Sequence, residues 1–409
     1  MALSILIAGP RFARRAGGLE RALADVADGL RALGFEVDDA TGASVVPEAG
    51  AVDPRPHGTW LTKFNRSETA VNLWSTLSPR RRRALRDLFA SRAEVRSGAA
   101  ALTALESRLA SRHYDAVLYC VEEAPAGGLA LALDRHSCVV PVAIEGLAAE
   151  LVGGALTGPI LRARGRHSWL GRRADPRAIR CAIFSSRSWA AATVRAGLPA
   201  YAAHAIYFGV PVPAATRPAR AFAGRLLYVG RLVKEKGLHL LLEGLARARE
   251  RDARLTLTLI LGEGPSAYRS LVERRSADLG LSQAIDWRAP VPRAALPALF
   301  AEHDALLFWS SVPEPAPLVA MEAMAARLPV IVPAPLTPSP IYDDGVTCVT
   351  YERRDPASVA EAIARLAGDP ALAATIAAGG AARIRDAFTP AHTARQYAAL
   401  LTAAIATKR

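Results

Sequence analysis

The feature that most constrains this chain is an alternation that occurs twice. A short apolar run from Ser4 to Ala8 gives way to a loop closing on Gly17-Gly18, and then to LERALADVADGLRALG, whose apolar positions recur at helical spacing. Further short apolar runs, at Ala116 to Cys120, Cys138 to Ile144 and Ala182 to Phe184, are bounded by polar or turn residues and separated by helix-like segments. The pattern then restarts, with strands expected at Leu226 to Val229, Leu255 to Leu261 and Asp304 to Trp309 and a helix at Leu238 to Arg249. Strands that alternate with helices need crossover connections, which make parallel sheets, so the expectation is an α/β chain of two Rossmann-like, doubly wound domains. A length of 409 residues is too great for one ordinary core and suits two.

The boundary between them is expected at VPVPAATRPARAFAGR, from Val210 to Arg225, which is rich in Pro and Ala and has no sustained apolar period. This gives a first domain at 1–210, a linker at 211–225 and a second domain at 226–389. Residues 390–409 place Tyr397, Leu400, Leu401 and Ile405 on an amphipathic helix, expected to pack back toward the first domain. The stretch at about 50–98 fits the alternation poorly and reads as an insertion; it holds His57, Trp60, Phe64, Trp74 and the run Arg80 to Arg83.

Charge narrows the function less than its size suggests. The net charge of +13 favours anionic partners, yet nearly every basic residue is Arg in an Ala-rich chain, as a coding bias would produce. Two basic segments, SPRRRRALRDLF at 78–89 and LRARGRHSWLGRR at 161–173, suit peripheral contact with an anionic membrane as well as a solvated face. Neither builds a nucleic-acid module, so no nucleic-acid partner is expected. The cysteines, Cys120, Cys138, Cys181 and Cys348, are widely spaced without metal-ligand pattern. With no apolar stretch long enough to span a bilayer, a cytoplasmic protein is the expectation.

Against that Arg bias, Lys234 and Lys236 stand out, since the only other lysines are Lys63 and Lys408. Both lie in GRLVKEKG, Gly230 to Gly237, directly after the strand LLYV and before a helix. Ligands of open parallel sheets bind beyond the carboxyl ends of strands. Gly230 permits close backbone approach there, and Arg231 and Lys236 offer positive charge suited to a diphosphate. Read alone, the same cations also fit a solvated loop.

A second candidate segment is EPAPLVAME, Glu314 to Glu322, after the strand ALLFW and the turn Ser310-Ser311. Pro315 and Pro317 stiffen the entry into a helix whose first amides, from about Leu318 through Val319 to Ala320, form an anion site. Glu314 before the helix and Glu322 one turn inside it are both placed to face one ligand, as acceptors for sugar hydroxyls.

Together GRLVKEKG, LGEGP at 261–265, and two glutamates separated by seven residues and followed by EAMAARLPVIVP resemble the family four retaining glycosyltransferases. The glycine loop of the first half and AIYFGVPV at 205–212 extend the likeness over most of the chain, and the C-terminal half matches best. The resemblance implies a GT-B fold, two Rossmann-like domains facing across a cleft, and transfer of a sugar from a nucleotide donor with retention of configuration. By position it implies that Arg231 and Lys236 bind the donor diphosphate, Glu322 the ribose and Glu314 the transferred sugar, with Gly17 and Gly18 lining the cleft. The nucleotide-sugar, expected to be a UDP-sugar, is a co-substrate, so no cofactor is expected. Such enzymes generally need no metal, and no Asp-x-Asp motif occurs. The acceptor is a glycan, a lipid-linked or a small molecule.

The chain departs from that pattern in places. Ala316, Pro317 and Arg327 stand where glycines are common, LTPSP at 336–340 replaces a Gly-Gly and acidic residue, and Glu145 takes the place of the usual first-domain histidine. Glu145 follows the run VVPVAI at an expected strand end, where it is placed to orient an acceptor. The departures leave open a non-catalytic nucleotide or glycan binder on the same scaffold. A Rossmann dehydrogenase is disfavoured by the lack of a full GxGxxG, and a large phosphorylase by the length.

Overall fold

The structure is a computed structural model and describes residues 2–8, 18–39, 109–120, 140–144, 181–195, 199–214, 217–218, 220–262, 264–311, 314, 316–335 and 338–408. Gly17, Glu145, the insertion at 50–98 and the basic segments at 78–89 and 161–173 lie outside these residues. The chain forms two compact units: Met1–Tyr207 with Thr393–Arg409, and Phe208–His392.

In the first unit, the sheet comprises β1 (Ser4–Ala8), β2 (Glu36–Asp39), β3 (Ala116–Cys120), β4 (Val140–Ile144), β5 (Ala182–Phe184) and β6 (Ala203–Ala205). Its order is β2-β1-β3-β4-β5-β6, and each neighbouring pair is parallel. Helix α1 (Gly18–Ala32) buries Ala22, Leu23, Val26, Ala27 and Leu30, the stripe that its helical spacing predicts. Helix α2 (Arg187–Arg195) precedes β6. The edge strand β2 reads EVDD and carries no apolar run, so it has no strand signal of its own; it forms because Ser4 to Ile7 offer their free edge to Glu36 to Asp39. Asp115 accepts the backbone N–H of Ser4 at 2.8 Å and ties the entry of β3 to that of β1.

The second unit repeats the architecture with β7 (Arg225–Arg231), α3 (Leu238–Arg251), β8 (Thr256–Gly262), α4 (Ser266–Asp278), β9 (Ile285–Arg288), α5 (Leu296–Glu302), β10 (Ala305–Leu307), α6 (Leu318–Ala325), β11 (Val330–Pro333), β12 (Val349–Tyr351), α7 (Pro356–Gly368) and α8 (Pro370–Ala387). All pairings are parallel, in the order β12-β11-β10-β7-β8-β9. Leu226, Leu257, Leu259, Leu307 and Ile331 pack with Leu241, Leu242 and Leu245 of α3 and with Val359, Ile363 and Leu366 of α7 into one core. Helices α7 and α8 each begin with an Asp cap followed by Pro: Asp355 accepts from Ala357 N–H and Asp369 from Leu372 N–H. The last helix, α9 (Pro390–Lys408), buries Ala394, Tyr397, Leu401 and Ile405.

The segment read as a linker is part of the second unit. Its arginines converge on Asp304, which is 1% exposed. Arg217, Arg220 and Arg225 reach Asp304 Oδ1 at 3.4, 3.0 and 3.1 Å, and the backbone N–H groups of Ala223 and Arg225 donate to Oδ2 at 3.0 Å each. Such a carboxylate anchors an otherwise irregular stretch. The strand expected from Asp304 to Trp309 spans Ala305–Leu307, with Asp304 N–H bonded to Arg225 O at 2.8 Å and Phe308 N–H to Ile331 O at 2.9 Å just beyond its two ends. Burial drives the Asp304 carboxyl upward, but the hydrogen bonds and charge of Arg225 and the bond from Ala223 outweigh it and hold the group below the usual carboxylate range.

The C-terminus of α6 closes in a Schellman-type turn, with Leu328 N–H bonded to Ala323 O and Arg327 N–H to Met324 O, both at 2.9 Å. This turn requires a left-handed residue, and Arg327 takes it with φ 62°. That is the position at which the resemblance leads one to expect glycine, and the backbone keeps the conformation although the residue has changed.

Two outcomes follow. Because the Asp304 carboxyl is depressed on folding, its contribution is full above the unfolded-state pKa of about 3.9 and is lost as pH falls through the lower folded value. Asp304→Asn should therefore cost about 3 kcal/mol at neutral pH and flatten the loss of stability in acid, read from urea midpoints at pH 3 to 7. Arg327→Gly should raise stability by up to about 1 kcal/mol in the same assay, by removing left-handed strain from a side chain.

Candidate active site

The strand order of the second unit fixes where a ligand can sit. From β7 the chain moves outward through β8 to β9, and then returns to the other side of β7 as β10. The loops that leave β7 and β10 therefore diverge from adjacent strands, and the crevice beyond their carboxyl ends is the switch point at which open parallel sheets bind ligands.

Gly230 and Arg231 are the last residues of β7, with Arg231 exposed. A Cβ on Gly230 would lie 2.6 Å from Tyr228 Oη, so the small residue lets that phenol occupy the strand end. Burial first, and then the charge of Glu314, push the Tyr228 phenol upward, which keeps it protonated. Beyond β7 the chain makes a 3-10 turn, Lys234–Lys236, and reaches Gly237 in the left-handed region at φ 67°. A Cβ there would lie 1.9 Å from Ser311 Oγ, and Ser311 N–H donates to Lys236 O at 3.2 Å. Gly264, after β8, approaches Leu232 as closely: its Cβ would lie 1.8 Å from Leu232 O. Glycines thus bring the loops after β7, β8 and β10 into backbone contact.

The β10 loop supplies the acid. Lys236 Nζ donates to Glu314 Oε1, and Ser310 Oγ donates to the same oxygen at 2.5 Å. The side chains of Lys236 and Glu314 are 12% and 28% exposed, so the pair is partly withdrawn from water. The ammonium also lies 5.3 Å from the centroid of Phe308. Arg353 donates to Ser310 O at 3.3 Å and Tyr351 Oη to Phe308 O at 3.0 Å, fixing the loop from β12. Trp309 stacks on Tyr351 with centroids 5.3 Å apart.

The same loop enters α6 through Pro317, which offers no side-chain acceptor to the first amides, those of Leu318 and Val319. Such a start is ready to take an anion. Glu322, on the second turn, is 9% exposed and accepts from Arg293 Nε at 2.6 Å. Arg293 comes from a 3-10 turn, Arg293–Ala295, that follows β9.

The structure thus sharpens the site reading. The sequence places the two glutamates to face one ligand; in the structure each meets a cation of its own, Lys236 for Glu314 and Arg293 for Glu322. Lys236 and Glu314, distant in sequence, are brought into contact. Gly18 is the first residue of α1. Arg293, Arg353 and the hydroxyl of Ser310 escaped sequence reasoning. Arg293 and Arg353 are single arginines among many, and Ser310 was visible only as half of a turn. Among the described residues no group of three or more His, Cys, Asp or Glu is arranged to hold a metal ion, and no helix is long and apolar enough to cross a membrane.

Fold and site together define a class: a chain of two Rossmann-like units, the second carrying a switch point lined by basic and acidic side chains. Residues 223–383 match the family described as glycosyl transferases group 1. Among curated relatives, D-inositol 3-phosphate glycosyltransferase of Frankia alni is 32% identical over 164 residues, 39% of this chain and 40% of that protein. Glycogen synthase of Mycobacterium tuberculosis is 33% identical over 176 residues, 43% of this chain and 42% of that protein. The chain thus spans about two fifths of the length of these relatives. Among solved structures, sucrose-phosphate synthase from Thermosynechococcus elongatus covers 100% of both chains with a TM-score of 0.70 at 19% identity. HepE of Anabaena in complex with UDP-glucose covers 98% of this chain and 100% of its own, with a TM-score of 0.64 at 18% identity. These likenesses show the fold, which is GT-B as the sequence led one to expect.

The loop contacts carry one further expectation. Gly237→Ala adds a Cβ to a left-handed residue against the Ser311 side chain, so it should cost about 1–3 kcal/mol in urea unfolding. Gly280→Ala, also at φ 67° but with nothing within 4 Å, is the control for backbone strain alone and should cost less.

Proposed function

We propose that this chain is a glycosyltransferase that moves a sugar from a nucleoside diphosphate donor to a hydroxyl of a glycan, lipid-linked or small-molecule acceptor, with retention of anomeric configuration. The observation that carries the reading is the switch point itself: Arg231 ends β7 and Lys236 follows it, while the start of α6, which has no side-chain cap, follows the adjacent strand β10. Two cations and a helix start beyond adjacent strands suit a diphosphate. The family match over 223–383 supports the same assignment.

In this reading Arg231, Lys236 and the amides of Leu318 and Val319 hold the diphosphate. As the glycosidic bond breaks, negative charge gathers on that group, and cations already in place lower the barrier without reorganisation. Partial burial of Lys236 makes its charge count for more than it would in open water. Glu322, oriented by Arg293, accepts from the ribose hydroxyls, and Glu314 from hydroxyls of the transferred sugar. That HepE has been solved with UDP-glucose makes UDP the first nucleotide to test.

A thermal-shift panel of UDP, GDP, ADP and dTDP should single out one nucleotide, raising the melting temperature by roughly 5–10 °C at a hundred times its Kd. With the matching nucleotide-sugar, purified protein should release the nucleoside diphosphate. Lys236→Ala and Glu322→Ala should each lower kcat/KM by about 10²–10³-fold, measured at temperatures and urea concentrations where both variants remain folded. Full activity in both variants would show that the site is wrongly assigned.

A further inference from the structure

The contact between Lys236 and Glu314 has a consequence for the order of events at the site. The Lys236 ammonium, one of the two cations given to the diphosphate in the reading above, is bonded to Glu314 Oε1. The pair is held on both sides. Ser310 Oγ bonds the same carboxylate oxygen at 2.5 Å, Arg353 holds Ser310 O at 3.3 Å, and Ser311 N–H holds Lys236 O at 3.2 Å. Neither partner reaches bulk water freely, with side chains 12% and 28% exposed. A diphosphate arriving at Lys236 therefore meets a carboxylate already occupying that cation, and two anions on one ammonium repel each other.

From this competition we infer that Glu314 is a built-in rival of the donor diphosphate for Lys236, and that the exchange discriminates the nucleotide-sugar from the bare nucleoside diphosphate. The inference rests on the donor-site reading. Binding of either nucleotide draws Lys236 toward the diphosphate and strips Glu314 Oε1 of its ammonium donor. A nucleotide-sugar brings hydroxyls that donate to the released carboxylate, so the lost bond is replaced. A nucleoside diphosphate has only its ribose hydroxyls, which the reading above gives to Glu322, so the Glu314 carboxylate is left short of a donor and the Lys236 to Glu314 bond re-forms at the expense of the product. No covalent step is involved. Ser310 acts as a positioning residue, keeping Glu314 within reach of Lys236 instead of letting it turn out to solvent.

The test is a set of calorimetric titrations with UDP and UDP-glucose, and in parallel with GDP and GDP-mannose, on wild-type protein, Glu314→Gln, Ser310→Ala, Lys236→Ala and the Lys236→Ala/Glu314→Gln double variant. Glu314→Gln keeps the shape of the side chain and removes its charge, so it should bind the bare diphosphate about tenfold more tightly than wild type. Its preference for the nucleotide-sugar over the bare diphosphate should fall in proportion. Ser310→Ala should shift both quantities in the same direction by a smaller factor, which keeps the test open should the glutamine variant fold poorly. In the Lys236→Ala background Glu314→Gln should bring less than about threefold, because the cation under competition is gone. An equal gain in both backgrounds would reduce the effect to general repulsion and overturn the rivalry, as would Glu314→Gln binding no tighter than wild type. If wild-type protein binds none of these nucleotides, the donor-site reading fails first and takes the inference with it.

Discussion

Everything at the candidate site depends on the way a parallel sheet disposes of its connections. Parallel strands satisfy their backbone groups only when each is followed by a crossover that returns to the same end of the sheet. All carboxyl ends then point one way, and where the strand order reverses, two loops leave neighbouring strands in opposite directions. In the second unit that reversal falls between β7 and β10, which pair through Ala305 with Leu226 and Leu306 with Leu227. Lys236 meets Glu314 because those two strands are bonded.

The loops are then held by contacts that leave no room for side chains. Gly237 sits against Ser311, and Gly264 against the carbonyl of Leu232. Three loops become one surface, and the charges on it are bonded to their own neighbours. Glu314 is bonded by Lys236 and Ser310, and Glu322 by Arg293. A site of this kind is held in place by backbone contacts, while its acids are bonded by side chains from separate loops. That combination suits a polyanionic ligand that must bind and leave.

The Asp304 cluster plays the corresponding structural part on the opposite side of β10, at its amino end. A buried carboxylate with arginines and backbone amides around it fixes the irregular chain from Arg217 to Arg225 and delivers β7 in register. The composition of that stretch suggested a linker, because Pro and Ala without an apolar period look unstructured. Its anchoring is ionic and lies outside the segment, so periodicity could not have revealed it. The same holds for β2, whose residues Glu36 to Asp39 become a strand only because β1 has a free edge.

The sequence by itself determined the two alternations, hence the two parallel sheets, and it located the GRLVKEKG and EPAPLVAME segments beyond strands. These follow from local rules, since helical and strand periods, glycine loops and helix entries are written within a few residues. The tertiary structure alone decided which of those segments meet and with which partners. Strand order put Lys236 beside Glu314, and Arg293 and Arg353 were drawn in from loops that carry no motif. Contacts across long sequence separations depend on the packing of a whole sheet, and no local pattern of residue types records that.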